Sequence, residues 1–392
     1  MSTIALKGLG WGHRRATGPL APLSSRFSLL HPHVSIDWTI RPLTAFEDQP
    51  LSEVARAFDL LIVDHPFSGQ IVEEALFVPL DQHLPRCLGS GADALYCGPS
   101  LRSYRRSNAL WVAPIDAACV HSAARMDLLD RLGYSMPSTL NELLQLGRHA
   151  SGRIVMPLAS PHAFTTAASL MANLGHPIAE DAAGFAYEPT VLSEMLDVMD
   201  EVFSFCDPRS CELNSIGVHD AMVQSDQYAF CPWVFGYATY AENNIVSRLS
   251  FGSFFGPNEG HAGSMLGGAG LGVSAFSAHP SEALSFVEFA MSEEAQGTII
   301  PAHHGQPALT KAWDDAHLDQ QYGGYFSSTR ASLERAWIRP TSAQYPTFQS
   351  RAGAIFEHYF RRNITRAELL SRFQSAASSP ENPANRKNSH EQ

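Results

Sequence analysis

Apolar positions in the first part of the chain change their spacing in a regular way. Ile4 to Gly10 reads as a strand, and the turn-rich Trp11-Gly12-His13-Arg14-Arg15-Ala16-Thr17-Gly18 leads into Leu20, Leu23, Phe27 and Leu30 at helical spacing. Val34 to Ile40 alternates apolar and polar, and Leu51 to Ala57 suits a short helix. Asp59-Leu60-Leu61-Ile62-Val63-Asp64 is a continuous apolar run too short for a buried helix. Such runs suit central parallel strands covered on both faces. The β-α-β-α-β series predicts right-handed crossovers and an open twisted sheet, with ligands beyond the carboxyl ends of the strands. Two of those ends fall at Trp11 to Arg15 and at Asp64-His65.

Further on, Trp111 to Asp116 followed by Ala117 to His121 reads as a strand pair interrupted by Pro114, a crossing between domains. Thr139-Leu140-Asn141-Glu142 has the form of a capping box at the start of a helix. Ile154 to Pro157 predicts a short strand, Leu192 to Phe203 an amphipathic helix, and Tyr228 to Trp233 another strand. Gly267-Gly268-Ala269-Gly270-Leu271-Gly272-Val273 leads back into a strand, and Pro280 with Glu282 opens a helix through Met291. Beyond Ala376 the chain is polar and rich in Ser, Asn, Pro and Glu, which predicts a disordered tail over 376–392.

Composition removes several classes of function. The chain has 392 residues, 45% of them apolar, enough for one large core or two. Its net charge of -12 is spread thinly, since only 17% of residues are charged; that balance repels phosphate backbones and argues against nucleic acid. No window supplies 18 consecutive apolar residues, a membrane-spanning length, and the start has no basic region followed by an apolar stretch and cleavage site. As written this reads as a cytoplasmic chain, or as a periplasmic or extracellular one whose leader is missing from the sequence. The six cysteines form no CxxC pair and read as buried thiols, with a disulfide left open among the closer ones. His31-Pro32-His33 and His303-His304 lack metal-ligand spacing, and no phosphate loop, dinucleotide fingerprint or nucleophile elbow is present. No metal and no cofactor is expected.

Four segments together resemble the family 1 extracellular solute-binding proteins, the maltodextrin-type receptors of ABC importers. They are Ala75 to Asp81, Met136 to Leu143, Gly267 to Ser274 with the helix from Ala283 to Gln296, and Gly305 to Ala308. The resemblance implies an α/β fold of two periplasmic-binding-protein-like lobes (type II), closing on a ligand by hinge motion. It assigns residues 1–113 with 264–312 to one lobe and 114–263 with 313–375 to the other. It also implies a small-molecule ligand, a sugar, polyol or related organic acid, with ABC membrane subunits as partner and a monomeric receptor.

Candidate ligand-binding residues each carry a plainer alternative. Trp11, with His13, sits where the first strand ends and either covers an apolar ligand face or packs the first helix. Arg14 and Arg15 either grip a ligand carboxylate or phosphate or are solvated. Asp64 and His65 lie at the sheet's mouth, lining the cleft or, for Asp64, capping a helix. Asp116 accepts from ligand hydroxyls or caps a turn. Gly267 and Gly268 let backbone amides approach a ligand. By resemblance, Trp233 is the ligand-stacking aromatic of the second lobe, Tyr345 reaches the cleft, and Arg339 is there or in a structural ion pair. The competing reading is a cytoplasmic enzyme or sensor on the same scaffold, as in thiamin-degrading transferases, with Cys119 or Cys231 as nucleophile.

Overall fold

A computed structural model describes residues 3–42, 51–84, 88, 91–258, 260 and 262–378. The chain begins with strand β1 (Ile4–Trp11), helix α1 (Arg14–Leu30), β2 (Val34–Arg41), α2 (Leu51–Ala55) and β3 (Leu60–Val63). β1 pairs in parallel with both β2 and β3, as the β-α-β-α-β reading requires. α1 starts inside the segment that reads as a turn, because the His13 side chain accepts the Arg15 N–H and caps it there. It buries Leu20, Leu23 and Phe27, while Leu30 stays half-exposed at its end.

The next strand, β4 (Ala113–Ala124), is one continuous element rather than an interrupted pair. Pro114 is accommodated because the ladder shifts register beside it: Ala269 pairs with Asp116, while Gly270 pairs with Pro114. After β4 come α3 (Leu140–His149), α4 (His162–Asn173), α5 (Pro189–Ser204), α6 (Ser215–Gln224), β5 (Phe230–Phe235), β6 (Ser250–Gly252) and β7 (Leu266–Val273). α7 (Pro280–Ala290), α8 (Tyr325–Glu334), α9 (Tyr345–Phe360) and α10 (Arg366–Ala377) complete the principal elements. The segment at Ile154 makes only isolated bridges, to Cys206 and Phe230. Thr139 caps α3 by accepting from the Glu142 N–H, and the Glu142 carboxylate accepts from the Ser138 N–H and hydroxyl.

The strands join in the order β6-β4-β7-β3-β1-β2, with β5 on β4. β4 and β7 run through the whole arrangement. The first half of β4 pairs with β7, and its second half pairs with β5 and β6; β7 also pairs with β3. Two clusters of buried apolar side chains flank these strands. One gathers Leu6, Leu9, Phe27, Leu61 and Ile62, and the other gathers Phe164, Leu192, Met195, Trp233 and Phe356. Cys119 and Val120, adjacent in β4, belong to opposite clusters, and Phe235 packs against both. Leu318, Tyr322, Tyr325, Phe326 and Leu333 join the first cluster, while Tyr345, Phe348 and Phe373 join the second.

Cys97, Cys119, Cys206, Cys211 and Cys231 are buried and free, and Cys87 lies outside the described residues. Of the expected tail, Ala376 and Ala377 still belong to α10, and 379–392 lie outside the described residues. Among the described residues no helix is long and apolar enough to cross a membrane.

Candidate functional site

A crevice opens between the two clusters, holding about 810 Å³ of empty space that includes open solvent. Trp11, Arg15, Asp64, Pro66 and Phe67 supply one wall, from the carboxyl ends of β1 and β3. Pro161, His162, Thr165, Ser215, Phe235 and Pro346 supply the other. Asp116 and Gly267 to Ala269, on the two strands that run through both halves, form the floor. The carboxyl ends of these parallel strands thus border a cavity.

Two buried ion pairs dominate its electrostatics. Arg15 Nε donates to Asp116 Oδ2 at 2.8 Å and Nη2 to Oδ1, while Nη1 donates to the Gly236 carbonyl at 2.6 Å. The Tyr237 ring lies 4.7 Å from the guanidinium carbon. Burial works against the charge on Arg15, but the Asp116 carboxylate more than offsets it. Arg339 Nη2 donates to both Asp64 oxygens at 2.8 and 2.7 Å, and Nη1 to Gln349 Oε1 at 3.0 Å. Burial also opposes ionisation of Asp64, yet the Arg339 charge and the His65 hydrogen bond outweigh it and hold its pKa down at about 2.

Six of the ten sequence candidates meet in this crevice: Trp11, Arg15, Asp64, Asp116, Gly267 and Gly268. Asp64 also caps a helical turn by accepting from the His65 N–H at 2.8 Å, so it both borders the crevice and serves as a cap. Arg15 is not a solvated or free ligand-gripping group, because all its nitrogens are taken by protein acceptors. Gly267 and Gly268 give close approach within the protein: a Cβ on the first would press on the Phe235 ring, and on the second it would strike the Asp116 carbonyl.

The other four candidates lie elsewhere. His13 caps α1 and faces the Tyr237 ring at 4.8 Å, outside the lining. His65 is buried behind Asp64, where burial and the Arg339 charge lower its pKa to about 4. Trp233 is fully buried in the second cluster and donates its Nε1–H to the Phe255 carbonyl at 2.8 Å. Phe235 and then Tyr237, two and four residues further on, reach the crevice instead, so the assignment missed by depth along the strand. Tyr345 is buried against Phe185 and Phe348, while its neighbours Pro346 and Gln349 line the crevice.

Sequence reasoning missed Phe67, His162, Thr165, Ser215, Phe235, Tyr237 and Gln349. Only Phe235 and Tyr237 had a signal, the alternation continuing past Trp233. Cys119 and Cys231 do not line the crevice. Burial drives both thiols up, Cys119 to about 12, which keeps them protonated and poorly nucleophilic. Among the described residues no three His, Cys, Asp or Glu side chains converge as a metal site.

No protein-family model and no curated protein matches the sequence. Solved structures do match in fold. A solute-binding protein of an ABC transporter from Agrobacterium radiobacter K84, in complex with ribitol, superimposes with a TM-score of 0.80 at 16% identity, covering 96% of this chain and 98% of that one. Maltose-bound MalE3 of T. maritima gives 0.78 at 15% identity, covering 95% and 98%. A solute-binding protein from Agrobacterium vitis S4 with bound D-mannitol gives 0.75 at 14% identity, covering 98% and 99%. The chain therefore has the two-lobed periplasmic-binding-protein-like α/β fold, with the crevice between its lobes.

Proposed function

We propose that this chain is a non-enzymatic solute-binding protein that captures a small polar molecule, a sugar, polyol or related organic acid, between its lobes. One observation carries the reading. The crevice lies between two separate apolar cores, is floored by strands common to both, and combines aromatic walls with fixed hydrogen-bonding groups. Aromatic faces suit the apolar faces of hydroxylated rings and chains, and ion-paired polar groups orient hydroxyls. The ligands named for the similar structures, ribitol, maltose and D-mannitol, are of this chemical kind. The lining residues, with Trp11, Phe235 and Tyr237 foremost, are the proposed contacts.

The lobe limits belong to the same proposal. Residues 1–113 with 264–312 form one lobe and 114–263 the other; of the 313–375 segment expected in the second lobe, only 345–375 is kept there. Packing of Leu318 to Leu333 on the first cluster supports carrying that segment with the first lobe. The proposed partners are the ligand and the membrane subunits of an ABC importer, met by a monomeric receptor.

Native mass spectrometry of the freshly purified chain tests the reading, together with titration by ribitol, D-mannitol and maltose. The expected result is one co-purified or titrated molecule, recovered chemically unchanged. Saturation at 100 times Kd should add about 2.7 kcal/mol to stability. Turnover of the bound molecule, or no bound molecule by either method, overturns it.

A further inference from the structure

Most polar groups in the crevice are committed to one another. Arg15 is held by Asp116 and Gly236, and Arg339 by Asp64 and Gln349, so the fixed charges balance in pairs. Arg339 Nε is left without a hydrogen-bond partner on that paired guanidinium, and His162 stands outside the pairs altogether. It lines the crevice, is only 4% exposed, and its Nε2 has no hydrogen-bond partner.

The proton on that nitrogen can be assigned from its neighbours. His162 Nδ1 lies 3.2 Å from Ser215 Oγ, and Ser215 Oγ accepts from the Phe235 N–H at 3.4 Å. If Ser215 gives its own proton to Nδ1, all three groups are satisfied and Nε2 carries the ring hydrogen. With the opposite tautomer, Ser215 would accept twice and its hydroxyl proton would be left over. Burial lowers the His162 pKa to about 4, so the ring is a neutral donor at physiological pH.

His162 is also the first residue of the twelve-residue helix α4, whose opening turn lines the crevice through Pro161, His162 and Thr165. No side chain caps this terminus and no acidic residue lies in its first turn; just before it, the Glu357 carboxylate accepts from the Ser160 N–H at 3.3 Å and is paired with Arg361. The backbone dipoles of α4 therefore present their positive end beside an unpartnered N–H donor, a combination that favours an anionic oxygen over a hydroxyl.

We infer that the solute carries a carboxylate, seated at the N-terminus of α4 on His162 Nε2–H, so that the preferred ligands are sugar acids rather than neutral sugars and polyols. The inference rests on the crevice being the ligand site. The remainder of the molecule lies along Trp11, Phe67, Phe235 and Tyr237.

Calorimetric titration of the full chain at pH 7.5 with matched pairs tests this: D-glucuronate and D-glucose, D-galacturonate and D-galactose, D-gluconate and sorbitol. At least one acid should bind tenfold or more tightly than its neutral partner. His162→Phe should abolish that preference, and His162→Gln, which keeps an N–H donor, should retain part of it; melting curves report whether each variant is folded. If neither variant folds, the wild-type pairs decide. A neutral partner that binds as well as its acid overturns the carboxylate and leaves the binding-protein reading standing. A preference undiminished in folded His162→Phe overturns the role of His162. If all six compounds are silent, the co-purified molecule decides: an acid supports the inference and a neutral molecule overturns it. No co-purified molecule overturns the binding reading as well.

Discussion

Arg15 and Asp116 illustrate how one pair of residues is both structure and site. The guanidinium is 4% exposed and the carboxylate 12% exposed, so removing either leaves an uncompensated charge in a poorly hydrated place. Arg15→Met should therefore cost about 3–5 kcal/mol in urea unfolding, and Asp116→Leu a similar amount. The double variant should lose much less than the sum of the two, because no orphaned charge remains. Additive losses would mean that the pair contributes little as a pair. A second comparison separates core from site at Trp233 and Phe235. Trp233→Ala should cost about 3–5 kcal/mol, since it opens a cavity and orphans the Phe255 carbonyl. Phe235→Ala should cost less stability but weaken ligand binding up to roughly tenfold through loss of an aromatic wall. Binding unaffected by Phe235→Ala, with Trp233→Ala folded and unable to bind, would restore Trp233 to the site.

Individual strands and helices were legible in the sequence to the extent that their signals are local. The run Leu60 to Val63 is apolar because it is covered on both faces, and the helix from Pro189 shows its buried stripe in Leu192, Met195 and Met199. What could not be read locally was depth and register. The step from Trp233 to Phe235 keeps the same side of the strand, so alternation alone could not say which of them leaves the core. The shift beside Pro114 depends on β7 as partner, and the place of His162 depends on how α4 is set against the ends of β1 and β3. In β7 the glycine pattern was visible, but its reason was not: Gly268 has φ of 104° and backs directly onto the Asp116 backbone. Gly268→Ala should destabilise by about 2 kcal/mol or more, from left-handed strain and collision together. Gly297→Ala, where the added methyl meets nothing within 4 Å, serves as control and should be neutral or slightly stabilising. Equal effects at both positions would remove the steric argument for β7.

At the scale of the whole molecule, imidazoles from distant parts of the chain gather among the rings of the first apolar cluster. His13 and His219 face Tyr237 and Tyr240, and His121 stacks edge-on against Phe251 and Tyr325. Burial, aided by nearby positive charge such as Arg15, lowers all three from the ordinary 6.5 to about 3. His65 and His162 are lowered to about 4. The sign follows from linkage. Between pH 6.5 and about 4 the unfolded chain binds protons at these positions and the folded chain does not, so stability is complete above 6.5 and falls as the pH drops through that window. Each fully linked histidine contributes up to about 1.4 kcal/mol per pH unit. Asp64, held at about 2 against an ordinary 3.8, adds its loss only below about pH 4, as its pairing with Arg339 is titrated away. Acid unfolding should therefore begin well above the carboxylate range, with the urea midpoint already falling between pH 7 and 5. Replacing His219 by Phe deletes one of these proton sites among its aromatic neighbours, and the slope of stability against pH over that interval should become shallower. A midpoint that stays level from pH 7 to 5 would mean that these imidazoles take up protons in the folded state, and that their surroundings are far wetter than the packing of Tyr237, Tyr240 and Phe251 around them implies.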